Sequence, residues 1–250
     1  MIGFAGQRVV ITGAGGGVGS ALTQAFAKAG AQVVACDTPG TDLAGQPVAE
    51  THLFDLRDQA AVANAAADIL ATGPVDVLVS NAGGTRAEVL TSVTPAALSD
   101  EMERNFTGAV HLCQGLLPSM RVRKAGALVF ISSVNALSHH GNPAYSAAKA
   151  ALLAWMRAIA VEEGKHGIRA NAVIPASIRT NAWEHRLRAD PAILDRLAAL
   201  YPLGRIVTTE EVANAVLFLA SPLASGITGT SLTVDAGLMA GNLPFLAAIS

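Results

Sequence analysis

Thr12-Gly13-Ala14-Gly15-Gly16-Gly17-Val18-Gly19 is the stretch that decides the fold. It follows directly on Arg8–Thr12 (RVVIT), a β-branched run of strand length, and opens residues 18–29, where apolar side chains recur at helical spacing. A glycine turn between a strand and a helix N-terminus presents backbone N–H groups and the positive end of a helix dipole, which together suit the pyrophosphate of a dinucleotide. Glycine is needed there for close approach of the ligand and for positive φ. A tight turn without a ligand would carry the same letters. The position between strand and helix is what favours binding, with Gly13, Gly17, Val18 and Gly19 as the contacts.

Outward from this turn, apolar runs of strand length alternate with longer Ala- and Leu-rich stretches. The runs are Gln32–Asp37 (QVVACD), 75–80 (VDVLVS), 127–132 (ALVFIS), 169–174 (RANAVI), 231–235 (SLTVD) and a shorter one at 52–55. Between them, residues 59–71, 95–123, 144–163 and 210–220 repeat apolar side chains every three or four positions. Thr94-Pro95 and Thr208-Thr209 before Glu210-Glu211 are helix-start chemistry. The pattern predicts one α/β domain over residues 1–250. It is of the doubly wound Rossmann type, with a parallel sheet of about seven strands and helices on both faces. The long gap at 175–190 reads as a lid over a substrate.

Composition agrees. With 250 residues, 51% hydrophobic and 14% charged, the chain can bury a full core, and disorder is excluded. A formal charge of −2 and no basic run longer than Arg121-Val122-Arg123-Lys124 argue against nucleic acid as a partner. Cys36 and Cys113 are far apart and in no C-x-x-C spacing, which suggests neither a disulfide framework nor zinc and fits a reducing compartment. The N-terminal residues lack the order of a signal peptide, and no apolar run reaches about 18 residues, so a cytoplasmic protein without a membrane segment is expected.

Asp37 ends the second strand-like run eighteen residues after Gly19, near the spacing at which a carboxylate reaches the adenosine ribose hydroxyls. It would repel a 2′-phosphate, and Gly15, Gly16 and Thr38 supply no Arg or Lys to neutralise one, so NAD is the expected cofactor. An ordinary strand-end residue capping the turn before Pro39-Gly40 is the plainer alternative. Tyr145 and Lys149 lie four apart in a small-residue helix and so share a face. A free phenol titrates near 10, too high for efficient proton exchange at neutral pH, and a neighbouring ammonium is expected to lower that value. Taken alone, Y-x-x-x-K is a common accident on helices.

The company kept by this pair is not accidental. The turn at 12–19, Ser80-Asn81-Ala82-Gly83, Ile131-Ser132-Ser133 and Tyr145/Lys149 stand in an order and spacing that resemble the short-chain dehydrogenase/reductase family. The likeness runs from Gly6 to Gly237 and takes in Pro202-Leu203-Gly204-Arg205 and the stretch from Ile227-Thr228-Gly229 to Val234-Asp235-Ala236-Gly237. The resemblance implies that Tyr145 is the general acid/base, that Lys149 lowers its pKa and holds the nicotinamide ribose, and that Ser133 bonds the reacting oxygen. Ser132, one residue away, could be confused with it. Asn105 would complete a proton relay through a water, although a solvent-facing polar residue is the plainer alternative. Asp55 and Leu56 would flank the adenine, and Asn81, Ala82 and Gly83 would run beside the adenosine ribose. Pro175, Ile178 and Thr180 would line the nicotinamide end. Three places depart from the family pattern: Ser80 for the first Asn, Ala176 for a Gly, and Ala236 for a Gly.

His139 and His140 fall where the resemblance puts one wall of the substrate pocket, and solvated loop residues explain them equally well. Arg179, Trp183, His185, Arg186 and Arg188 populate the lid. Arg179 is expected to face inward as a cation beside the nicotinamide, with Trp183 as a further substrate contact. No histidine has metal-ligand spacing with a Cys, Asp or Glu, so no metal is expected. The apolar tail 238–249 and the long helices are expected to build a homotetramer, as is usual in the family. These features together imply an NAD-dependent oxidoreductase acting on a small polar secondary alcohol or its ketone: a sugar, sugar acid, polyol or hydroxy acid. A 3-oxoacyl-thioester reductase and a non-catalytic dinucleotide sensor are the alternatives. Asp37 speaks against the first, and the presence of Tyr145, Lys149 and Ser133 against the second.

Overall fold

The computed structural model describes residues 2–85, 89–180, 188 and 190–249. The strands are β1 (Arg8–Thr12), β2 (Gln32–Asp37), β3 (Glu50–Leu53), β4 (Val77–Ser80), β5 (Gly126–Ile131), β6 (Ile168–Pro175) and β7 (Ser231–Val234). Among the described residues they form a single sheet, wholly parallel, in the order β3-β2-β1-β4-β5-β6-β7. Every residue of β1 is buried, and alternate side chains feed opposite layers. Val10 joins the layer under α2 (Gln59–Thr72), α4 (Gly108–Arg123) and α5 (Pro143–Glu163), whereas Val9 and Ile11 join the layer under α1 (Gly17–Lys28) and α7 (Thr209–Ala220). This two-sided burial is why the strands read as continuous apolar runs instead of alternating ones. Strand order reverses between β1 and β4. A crevice therefore opens at their C-terminal ends, where the glycine turn lies.

Several boundaries differ from those read in the sequence. β4 starts at Val77 and not at 75, because the Asp76 carboxylate is engaged by Arg8 N (2.7 Å) and the Arg123 guanidinium (2.6 Å). β3 runs over Glu50–Leu53 instead of 52–55, since its register against β2 pairs Glu50 with Val34 and Leu53 with Asp37. β5, β6 and β7 each shift by a residue at one or both ends. The stretch 95–123 is not one regular helix. It is α3 (Pro95–Met102), one π-helical turn over Glu103–Thr107, and α4. The Asn105 side chain donates to Glu101 O (3.1 Å) inside this widened turn, so an amide competes there with the backbone ladder.

The caps expected at Thr94 and Thr208 are present, the second as a capping box with Glu211. After β7, Ala236 adopts φ 51° where the family pattern has glycine. Further short helices are α6 (Ile193–Ala198) and α8 (Leu243–Ile249), the latter exposing Phe245, Leu246 and Ile249. Both cysteines are buried in the core, and burial pushes each thiol up to about 12. Among the described residues no helix is long and apolar enough to cross a membrane.

Candidate active site

A cleft of about 500 Å³ runs along the C-terminal ends of the strands from Asp37 to Tyr145. Its floor is the glycine turn. Gly13 sits at φ +66°, and a Cβ there would come within 2.9 Å of Ala82 Cα. A Cβ on Gly17 would approach Thr180 Cγ2 to 2.9 Å, so the turn is a cradle that only missing side chains keep open. Thr12 and Asn81 hold it in shape. Thr12 Oγ1 accepts from the backbone N–H groups of Asn81 and Ala82, both at 3.0 Å. Asn81 Nδ2 donates back to Thr12 O (3.0 Å) and Gly13 O (3.1 Å). At one end of the cleft, Asp37 Oδ2 accepts from Gly15 N (2.8 Å), and Oδ1 accepts from Thr38 N (2.7 Å) and Thr41 Oγ1 (3.1 Å). Asp55 lies on the same side. Arg57 grips its carboxylate and holds it below the usual carboxylate range.

At the other end the residues expected to transfer the proton meet. Ser133 and Tyr145 line the cleft, Ser133 Oγ donating to Asn135 Oδ1 (3.3 Å) and accepting from Asn135 N (3.2 Å), whereas Ser132 points into the protein and donates to Lys149 O (3.0 Å). Lys149 reaches Ile131 O (2.9 Å) with its Nζ, which lies 5.7 Å from the centroid of the Tyr145 ring. Burial pulls this lysine down to about 8, with the Glu101 carboxylate acting the other way. The lowering of the phenol expected from the Y-x-x-x-K spacing is not found. Burial raises Tyr145 above its ordinary value and Glu101 adds to the rise, which outweighs the opposing influence of the Ser133 hydroxyl. Asn105 does not face solvent as its polarity alone would suggest. It is buried in the π-turn, its Oδ1 accepting from Gly84 N (3.0 Å) and its Nδ2 donating to Gly84 O (3.0 Å) and Glu101 Oε2 (2.7 Å).

Every residue read from the sequence as a cofactor contact borders this cleft: Gly13, Gly17, Val18, Gly19, Asp37, Asp55, Leu56, Asn81, Ala82, Gly83, Pro175, Ile178 and Thr180, with Tyr145 and Lys149. Of the expected substrate contacts, Ser133 lines the cleft, whereas Arg179, His139 and His140 do not. Ile178 bridges Val207, so Ile178 and Thr180 turn toward the cleft while Arg179 between them is exposed and outside it, contrary to the inward-facing cation expected. His139 and His140 are exposed, and His140 Nε2 lies 3.4 Å from Met239 Sδ. Trp183, His185 and Arg186 lie outside the described residues. Sequence reading missed Glu101, Arg57 and Arg104. Arg57 and Arg104 both border the cleft and are joined through Asp100 at 3.1 and 2.7 Å. The four-residue spacing from Glu101 to Asn105 was the one signal for Glu101.

The cradle, the carboxylate at the end of β2 and the proton-exchanging pair at the far end suit a nicotinamide dinucleotide. Comparison with known proteins agrees. Residues 13–239 match the family described as enoyl-(acyl carrier protein) reductase. The chain is 37% identical to an uncharacterized oxidoreductase of Schizosaccharomyces pombe, covering 95% of this chain and 92% of that one. It is 36% identical to the D-xylose 1-dehydrogenase of Caulobacter vibrioides (93% and 95% covered) and 35% identical to the L-xylulose reductase of Bos taurus (95% and 98%). Among solved structures, an oxidoreductase of the short-chain dehydrogenase/reductase family from Burkholderia thailandensis superposes with TM-score 0.89 at 40% identity, covering 97% and 96% of the two chains. A gluconate 5-dehydrogenase from Burkholderia cenocepacia, in complex with NADP and tartrate, superposes with TM-score 0.89 at 29% identity (96% and 98% covered).

Proposed function

This chain belongs to the short-chain dehydrogenase/reductase family, and from that premise we propose that it is a cytoplasmic, NAD-preferring enzyme interconverting a small polar secondary alcohol and its ketone. Sugars, sugar acids, polyols and hydroxy acids are the class of substrate. The observation that carries the reading is the meeting of Tyr145, Ser133, Lys149 and Asn105 at the end of a cleft whose floor is the glycine cradle. A bound nicotinamide supplies hydride transfer to or from the substrate carbon. The chain's own residues handle the oxygen and its proton. Ser133 Oγ would donate to the substrate oxygen, and the Tyr145 hydroxyl would exchange the proton with it. Lys149, held by Ile131 O, would keep positive charge beside the phenol. Similarity to proteins named for xylulose and xylose supports a polar substrate. An NADH-formation screen of the purified protein against sugars, sugar acids, polyols, hydroxy acids and cyclic alcohols tests the proposal. Turnover confined to apolar alcohols, or to 3-oxoacyl thioesters with NADPH, would refute it.

Preference for NAD rests on Asp37 in this reading. Its carboxylate is already fixed by four N–H and O–H donors, and neither Thr38 nor Gly15 offers a cation to a 2′-phosphate. Asp37→Ala is expected to weaken NAD by about 1.5–3 kcal/mol, the worth of a charge-assisted hydrogen bond, and to improve NADP relative to NAD. Comparable efficiencies with both cofactors in the unaltered protein would count against it. The enzyme is also proposed to act as a homotetramer, because α8 exposes Phe245, Leu246 and Ile249 and the ends of α4 and α5 expose Val122 and Val161. Light scattering showing a monomer at working concentration would remove that part.

A further inference from the structure

Glu101 is buried, with 2% of its surface exposed, at the end of α3, and the proton-transfer residues beside it are as deeply buried: Asn105 at 1% and Lys149 at 3%. Its Oε2 accepts from Asn105 Nδ2 at 2.7 Å, and its backbone oxygen accepts from the same nitrogen at 3.1 Å. A carboxylate can only accept, so it reinforces the facing of the amide that the Gly84 backbone also favours: nitrogen toward Glu101 Oε2, Glu101 O and Gly84 O, oxygen toward Gly84 N. Gly83 lies between the two polar ends, since a Cβ there would meet Asn105 Oδ1 at 2.5 Å and Lys149 Nζ at 3.1 Å. A carboxylate, an amide and an ammonium, each almost wholly buried, therefore lie close together at the Tyr145 end of the cleft. Isolated charges in such a place are costly unless compensated.

We propose that Glu101 is a positioning residue of the proton-transfer site, orienting the Asn105 amide and serving as the buried counter-charge that keeps Lys149 an ammonium. The inference deepens the functional reading above and rests on it for the roles of Asn105 and Lys149. Lys165 and His166, on the turn that follows α5, act on Glu163, and several other charged groups on α5 and the elements packed against it are engaged elsewhere. Asp100 pairs with Arg57 and Arg104, and Glu103 accepts from Ser99. Arg169 donates to carbonyls at Leu219, Ala220 and Ser221, and Glu163 of α5 itself pairs with Arg121. Burial drives the Lys149 pKa down to about 8, and the Glu101 carboxylate opposes that.

The experiment is a side-chain ¹⁵N NMR titration of lysine-labelled full-length protein, which needs neither substrate nor cofactor. Lys149 is assigned by its loss in Lys149→Met, while Lys28, Lys124 and Lys165 are exposed. Wild type is expected to titrate near about 8. In Glu101→Gln, which keeps size and an acceptor but removes the charge, the midpoint is expected to fall by on the order of one pH unit. Glu101→Asp keeps the charge and is expected to titrate close to wild type, which guards against a Gln variant that folds poorly. A Glu101→Gln midpoint equal to that of wild type, or a Glu101→Asp midpoint as low as that of the Gln variant, overturns the proposal. With a substrate in hand, the alkaline limb of kcat should move to lower pH in Glu101→Gln alone. Failure to find a substrate would touch the proposed function and leave the titration standing.

Discussion

Tyr145→Phe is expected to lower turnover by about 10²–10⁴, the range for a lost general acid/base, while NADH still binds with nearly unchanged affinity. The ring stays, and so does its packing in the cleft beside Lys149, whose Nζ lies 5.7 Å from the ring centroid. Only the hydroxyl goes. Because burial raises the phenol above its ordinary value, the wild-type rate of alcohol oxidation should climb with pH as the phenolate form is populated. The Phe variant should lose that climb together with the rate. Near-normal turnover by the variant, on any substrate the unaltered protein accepts, would remove Tyr145 from the mechanism.

The second large effect is expected at Gly19. A Cβ there would collide with Gly13 O and come within 2.7 Å of Gly13 C and 2.8 Å of Ala14 Cα. All three are backbone atoms that cannot swing aside, so Gly19→Ala must open the turn. Overpacking of this kind costs about 1–3 kcal/mol of stability. It should also cost at least about 3 kcal/mol of dinucleotide affinity, on the order of a hundredfold, through misplaced N–H donors. Gly16→Ala is the control, because its Cβ would sit 3.4 Å from Gly13 O, an ordinary contact. Titration of NADH fluorescence compares them. Equal affinity of Gly19→Ala and wild type would show that the turn does not hold the cofactor.

What the sequence made legible was whatever depends on local geometry and burial. The glycine turn, the all-buried strands and the Tyr145/Lys149 pair are defined by neighbours within a few residues, and each is found on the element expected. The π-turn was not legible, since it arises from Asn105 bonding back to Glu101 and no propensity encodes that. The ion-pair chain from Asp55 through Arg57 and Asp100 to Arg104 joins residues more than forty positions apart, and only the fold brings them together. Arg179 was misread for a simpler reason. Extended backbone beside Val207 sends alternate side chains opposite ways, so neighbours of cleft residues face outward.

That outward position gains practical value from the state of the native thiols. Cys36 and Cys113 are buried and held as protonated thiols far above neutral pH, so thiol-directed reagents should leave both alone. An Arg179→Cys substitution would then offer the one readily reactive sulfur. A fluorophore attached there would sit between Ile178 and Thr180, one residue from the cleft on either side, without entering it. The enzyme thus comes prepared for a reporter of ligand arrival at the Thr180 end of the cleft, with no background cysteine to remove first.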